Sequence, residues 1–331
     1  MLTISFNSYK GGSCRTTTCY NTIPFLADKL KATSHNPIIV FDFDLDSMGL
    51  TNLLDKSGSG DRAKREAYSA RNLFVEKNDD IKSAIKTLDN VEDSYFENYE
   101  KVGYKFNLSD NGAVLFCGAN KNSPTLTDND AEMFQQRSPL SDLVTALRGL
   151  NEEDQPRALI FDCAAGIQMT TAVVLSLVEE IIVCMRPSLQ ARIGTFDYLS
   201  YYIPQRIAKS QSSSYPRTVY LVPTSVSQLK LTEDELKNDM ATNNLRGLRS
   251  DVLEAIEKGL IRQIKGKGEL ALRYKFNYDM AVEDETKEYG IREVERFKWE
   301  ECLIYKMPNL IKEEQCLLGR YQKLADIVTK G

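Results

Sequence analysis

Residues 2–18 read LTISFNSYKGGSCRTTT. LTISF (2–6) is a short strand, SYKGGSC is a loop of small and polar residues, and 16–31 is a helix with Ile23, Leu26, Ala27 and Leu30 on one face. Pro24 falls inside that helix, where a kink is expected. Strand, polar turn and amphipathic helix in that order form the opening unit of an α/β fold, and the rest of the chain repeats the rhythm. IIVF (38–41), AVLFC (113–117), ALIFDC (158–163), EIIVCM (180–185) and TVYLV (218–222) are apolar runs of the kind buried on both faces of a parallel sheet. Helices are expected over 138–150, 168–178, 192–209 and 320–328, turns at SHNP (34–37) and QSSSYP (211–216), and a last short strand at CLIY (302–305) before Pro308.

The expected architecture is one α/β domain over 1–331, a doubly wound, mostly parallel sheet with helices on both faces. Two polar, charged segments, 55–112 and 231–300, lack the strand rhythm and read as helical insertions. In such folds ligands sit at the carboxyl ends of the strands, so Ser8–Thr18, Asp42–Gly49 and Asp162–Gly166 should share one edge.

Bulk composition narrows the classes. The 331 residues are 42% hydrophobic and 27% charged with a net charge of −5, which gives no global attraction to nucleic acid or anionic lipid. No apolar run approaches the roughly 20 residues that span a bilayer, and no basic leader precedes the first strand, so neither membrane insertion nor secretion is expected. Seven cysteines, at 14, 19, 117, 163, 184, 302 and 316, form no C-x-x-C pair; Cys117, Cys163 and Cys184 read as buried small hydrophobes. That pattern suits a reducing compartment, the cytoplasm. A single histidine, His35, almost excludes histidine triads and multi-histidine metal sites.

The loop departs from the general phosphate-binding pattern G-x-x-x-x-G-K-S/T. Tyr9 stands at the first glycine, Cys14 at the last and Arg15 at the lysine, followed by Thr16. The K-G-G-x-x-R-T-T-T run nevertheless resembles the deviant Walker A loop of the ParA/MinD family of dimeric P-loop ATPases, in its arginine-bearing branch. FDFDLDSMGLT (41–51) resembles the second motif of that family, and ALIFDCAAGI (158–167) its Walker B strand. CMRPSLQARIGT (184–195) and the final CLIYKMP…YQKLADIV add to the likeness, which covers roughly 1–60, 113–225 and 300–331.

This resemblance implies ATP and Mg²⁺ as ligands and slow phosphoanhydride hydrolysis. Lys10 would be the signature lysine that reaches a partner's nucleotide. The backbone of Gly11, Gly12, Ser13, Cys14, Arg15 and Thr16 would wrap the β-phosphate. Arg15 would supply charge to the β/γ-oxygens, Thr16 would ligate Mg²⁺ and Thr17 would bond the α-phosphate. Asp162 would hold Mg²⁺ through a water, with Asp44 counted as a third residue at the metal. Asp44 would position the attacking water by strand alignment; counting back from Gly49 favours Asp46, and Asp42 stays open. Three carboxylates spaced by two residues need a cation or donors nearby to stay ionised. Arg15 and Cys14 could slow hydrolysis while leaving binding intact.

The resemblance also implies an ATP-gated sandwich dimer that recruits a protein partner. Two alternatives stand beside it: a weakly hydrolysing assembly subunit of a bacterial partition or defence system, and a partition ATPase that binds DNA non-specifically. For the latter, Lys258, Arg262, Lys265, Lys267, Arg273 and Lys275 fall close together, although a solvated helix face is the preferred reading of such a cluster. Thr224 and Ser225 occupy the region where relatives often read adenine.

Overall fold

A computed structural model describes residues 1–33, 35–45, 47–56, 70, 104–106, 114–119, 139–209, 217–226, 240–258, 265–266, 268–269, 272–276, 291–292, 304–307 and 309–330. Its centre is β1 (Leu2–Asn7), flanked by β5 (Ala158–Cys163) and β6 (Glu180–Met185). Beyond β5 lie β2 (Ile38–Phe43), β4 (Val114–Cys117) and β3 (Tyr104–Phe106); beyond β6 lie β7 (Arg217–Val226) and β10 (Leu272–Phe276). Every pairing in this sheet is parallel except β3 with β4. β11 (Ile291–Arg292) pairs with the far end of β7, and β8 (Lys265–Gly266) and β9 (Gly268–Glu269) form a separate small ribbon.

Alternation along the strands builds two cores. Ile4, Phe6, Ile38, Val40, Ile160 and Ile182 point to one face, covered by α1 (Arg15–Lys29), α2 (Gly49–Lys56) and α8 (Lys312–Thr329). Phe41, Phe43, Phe161, Ile181, Val183 and Leu221 point to the other, covered by α3 (Pro139–Gly149), α4 (Met169–Leu177), α5 (Leu189–Asp197), α6 (Ile203–Lys209) and α7 (Met240–Glu257). A single π-turn, Tyr198–Tyr202, joins α5 to α6. The doubly wound arrangement is therefore present. Phe41, Phe43 and Phe161 form a cluster of three near-parallel rings, every pair of centroids 5.1–5.6 Å apart.

β1 is unusual for a central strand because one face is polar. Thr3, Ser5 and Asn7 are fully buried. Local bonds satisfy them: Asn7 Nδ2 donates to Ser5 Oγ at 2.8 Å, and Thr3 Oγ1 accepts from the Glu179 amide at 3.0 Å. α1 leaves β1 toward one face, whereas α4 leaves the neighbouring β5 toward the other. The two departures open a crevice at the carboxyl ends of these strands.

Three sequence expectations change. The expected strand at CLIY is not seen where it is described: Ile304 and Tyr305 lie in a short 3-10 helix, Ile304–Lys306, and residues 302–303 lie outside the described residues. The Asn21 Oδ1 acceptor takes the Ile304 amide at 2.8 Å, and Ile304 is buried with α1 and α8, while β10 and β11 already line the outer edge of β7. The 231–300 segment is not wholly helical, since α7 is followed by β8 to β11. Leu-Arg-Tyr-Lys-Phe in β10 carries the alternation of a half-covered edge strand, with basic residues suited to an edge. The 55–112 segment likewise contributes β3 to the sheet; most of its other residues, Asp46, the 211–216 loop, Arg262 and Lys267 lie outside the described residues. Among the described residues, no helix is long and apolar enough to cross a membrane.

Candidate functional site

The three polar strand ends meet. β1, β5 and β2 are adjacent, and Asp162 is the register partner of both Phe6 and Asp42. The loop after β1 rests on three supports. Ser8 O accepts the Gly166 amide at 2.8 Å, tying the loop to the segment after β5. Thr224 Oγ1 donates to Ser13 O at 2.7 Å, and Cys14 Sγ lies 3.1 Å from Ser225 Oγ, tying it to the end of β7. The Tyr9 ring lies so close to Gly194 of α5 that a Cβ there would stand 1.8 Å from Tyr9 Cε1. Lys10 Nζ donates to Gln190 Oε1 on the same helix.

Within the loop, Gly12 has φ +74° and Ser13 Oγ donates to Lys10 O at 2.6 Å. Cys14 caps α1 in the left-handed region, φ 50° and ψ 26°, a conformation that costs a side-chain-bearing residue about 1–2 kcal/mol. Its thiol is exposed and turned toward Ser225. Among the described residues, no backbone acceptor takes a hydrogen bond from the amides of Gly11 through Thr16. They form a wall of donors at the N-terminus of α1, where the helix dipole favours an anion. Thr17 is the next residue of α1, and its carbonyl accepts from Asn21 Nδ2 at 3.0 Å.

Beside this wall sits a charge cluster. Arg15 Nε donates to Asp162 Oδ1 at 2.8 Å; its Nη2 donates to Asp44 Oδ2 at 2.8 Å and to Thr16 Oγ1 at 3.0 Å. Arg15 is only 6% exposed and Asp162 is fully buried. Removing one partner from such a pair costs about 3–5 kcal/mol, because the other charge is left uncompensated. Burial by itself lowers the Arg15 pKa, and the charges of Asp162 and Asp44 more than reverse that, so the guanidinium is held charged. Burial is also the largest influence on Asp162 and raises its pKa against the opposing charge of Arg15.

The three aspartates of the second motif separate by environment. Asp42 is fully buried and accepts three bonds, from the Thr51 amide (2.8 Å), the Thr51 hydroxyl (2.7 Å) and the Asp44 amide (3.1 Å). Asp44 lies at the crevice, with Oδ1 accepting from Ser47 Oγ at 2.9 Å and Oδ2 facing Arg15. Sequence reading alone did not identify Ser47, Thr51, Gln190 or Thr224 as supports. Thr51 carries the clearest signal, a threonine in the first turn of α2 and facing back toward the strand it follows.

The donors suit a hard divalent cation. Thr16 Oγ1, Asp44 Oδ2 and Asp162 Oδ1 converge on one guanidinium, and Asp162 Oδ2 is a buried acceptor with no hydrogen-bond donor among the described residues. Oxygen atoms of this kind, beside a wall of amides, are what magnesium bound with a polyphosphate uses.

No protein-family model matches the chain, and no curated protein matches it. Solved structures do. Apo McdA of Cyanothece aligns over 99% of both chains with a TM-score of 0.56 and 14% identity. The pNOB8 ParA bound to nonspecific DNA aligns over 99% of this chain and 98% of its own, with a TM-score of 0.54 and 13% identity. Cobyrinic acid a,c-diamide synthase from Mycobacterium smegmatis, with bound ATP analogue and magnesium, aligns over 100% of this chain and 95% of its own, at 0.52 and 16%. The chain shares the fold of ParA-type P-loop ATPases.

Proposed function

We propose that this chain is a ParA-like ATPase, a slow Mg-ATP hydrolase that works as a switch. The observation that carries the reading is the junction of the amide wall at Gly11–Thr16 with the Thr16, Asp44 and Asp162 oxygens, at the crevice where the fold binds ligands. The amides bind the polyphosphate. Thr16 and Asp162 would hold magnesium, which supplies charge neutralisation at the β/γ-oxygens. Asp44, fixed by Ser47, orients the attacking water. Asp42 positions Asp44 through its amide.

The reading extends to an ATP-gated dimer. Lys10 is folded back onto Gln190 in the single chain and would leave it to reach a second copy's nucleotide. Ile167, Leu189 and Ile193 are each more than half exposed, and they lie in the segments that hold Ser8, Tyr9 and Lys10. An apolar rim of that kind supports association of two copies. The dimer would recruit a protein partner in the cytoplasm, a compartment consistent with the free thiols of the described cysteines. Non-specific DNA is a second candidate partner, supported by the DNA-bound pNOB8 ParA; of the basic cluster only the Lys258 side chain is described, and it pairs with Glu254.

The test is size measurement with ATP, ADP or no nucleotide, on the wild-type protein and Asp44→Ala. Dimerisation that requires ATP and persists in Asp44→Ala supports the switch, and indifference of both proteins to nucleotide removes it. Steady-state phosphate release separates a switch from a weakly hydrolysing assembly subunit, the reading that Arg15's engagement with the carboxylates favours. Salt-sensitive, ATP-dependent retention on DNA would identify the partition reading.

A further inference from the structure

Arg15 reaches three oxygens at once, Thr16 Oγ1 at 3.0 Å, Asp44 Oδ2 at 2.8 Å and Asp162 Oδ1 at 2.8 Å. These belong to the same three residues that suit a divalent cation. The guanidinium therefore lies among the oxygens a metal ion would use, and the two cannot share them. A planar, permanently charged and weakly hydrated fork is well suited to bridge two carboxylates in a buried place; a lysine ammonium is a compact, strongly hydrated point charge and lacks that spaced fork. Among the described residues Asp162 Oδ2 stays without a donor even so, and the arginine leaves that acceptor for an incoming group.

We propose that Arg15 is a displaceable internal counter-ion. In the nucleotide-free protein it neutralises Asp44 and Asp162 and keeps out a divalent cation that arrives alone. A metal–triphosphate complex brings both a replacement cation for the carboxylates and a new anion for the guanidinium. Arg15 then moves from the carboxylates to the polyphosphate, whose oxygens match its fork. The consequence is linkage: metal binds well only with nucleotide, and nucleotide binds well only with metal. This inference rests on the Mg-nucleotide reading above.

Thermal unfolding of the full chain tests it, on the wild type, Arg15→Ala and Arg15→Gln. Each is measured in EDTA, with magnesium chloride titrated alone, and with magnesium plus a non-hydrolysable ATP analogue. The wild type should not respond to magnesium alone and should rise in Tm with magnesium and analogue together. Arg15→Ala should melt lower in EDTA and recover saturably with magnesium alone, with an apparent affinity at least about tenfold tighter than the wild type's. Arg15→Gln, which keeps a neutral donor, should behave alike and serves if Arg15→Ala does not fold. Equal responses to magnesium alone in all three proteins, or none in either variant, overturn the counter-ion. A variant that answers magnesium, beside a wild type that ignores magnesium and analogue together, keeps the counter-ion and removes the nucleotide reading.

Discussion

Asp42 and Asp162 stand side by side in register on β2 and β5, both fully buried, and each is held by a different device. Thr51 and the Asp44 amide hold Asp42 with neutral donors; Arg15 holds Asp162 with a charge. The pair divides the labour at the strand ends, since Asp42 shapes the turn that carries Asp44 while Asp162 faces the ligand crevice.

The Asp42 carboxyl is pushed up to about 7, by burial first and by the charge of Asp162 second. Its unfolded value is about 3.9. The folded chain therefore holds a proton that the unfolded chain has released, and stability falls as pH rises through that interval. The unfolding free energy of the wild type should drop between pH 5 and pH 8, and Asp42→Asn should flatten the slope. Chemical denaturation at the two pH values reads both; an equal slope in the variant contradicts the assignment.

Thr51→Val removes the hydroxyl that donates to Asp42 and accepts from the Ala119 amide at 2.9 Å. Two buried groups lose a partner at nearly constant volume, and a loss of about 1–3 kcal/mol is expected in denaturant unfolding. A change below about 0.5 kcal/mol would show that these bonds do not organise the turn.

Gly194→Ala places a methyl into the Tyr9 ring. Overpacking of this kind costs about 1–3 kcal/mol, and the cost should largely vanish in a Tyr9→Ala background, where the ring is gone. A double-mutant cycle by thermal unfolding checks the coupling. Additive effects would mean that Tyr9 does not rest on α5.

Cys14→Gly relieves a left-handed side-chain-bearing residue. The substitution should stabilise the chain by about 1 kcal/mol without weakening nucleotide binding, because the thiol is turned toward Ser225 rather than toward the amides. Unfolding and nucleotide titration of the variant together test this.

Much of the fold was legible because parallel strands buried on both faces leave continuous apolar runs. IIVF, ALIFDC and EIIVCM declare themselves, and Asp42 and Asp162 mark the ends of the first two. Leu272–Phe276 was hidden by its basic residues, which belong to an edge and dilute the apolar signal. CLIY misled because an apolar run states that it is buried, without stating against what: Ile304 is buried among helices. At the candidate site, the family resemblance singled out Lys10, Arg15, Asp44 and Asp162, yet no sequence pattern says where a guanidinium points. Arg15, read as a phosphate ligand, meets the carboxylates because Asp44 and Asp162 come from strands far apart in sequence and adjacent in the sheet. Gln190 and Thr224 fall in stretches the sequence singled out for other reasons; only the packing of α5 and β7 against the loop makes them supports.

The central claim is that the Gly11–Thr16 amides, together with the Thr16, Asp44 and Asp162 oxygens, grip a magnesium–triphosphate. Isothermal titration calorimetry of the wild-type chain with ATP, in magnesium and then in EDTA, tests it most directly. Saturable binding in magnesium that weakens sharply in EDTA is the predicted result. Absence of binding heat from any nucleoside triphosphate in magnesium would contradict it.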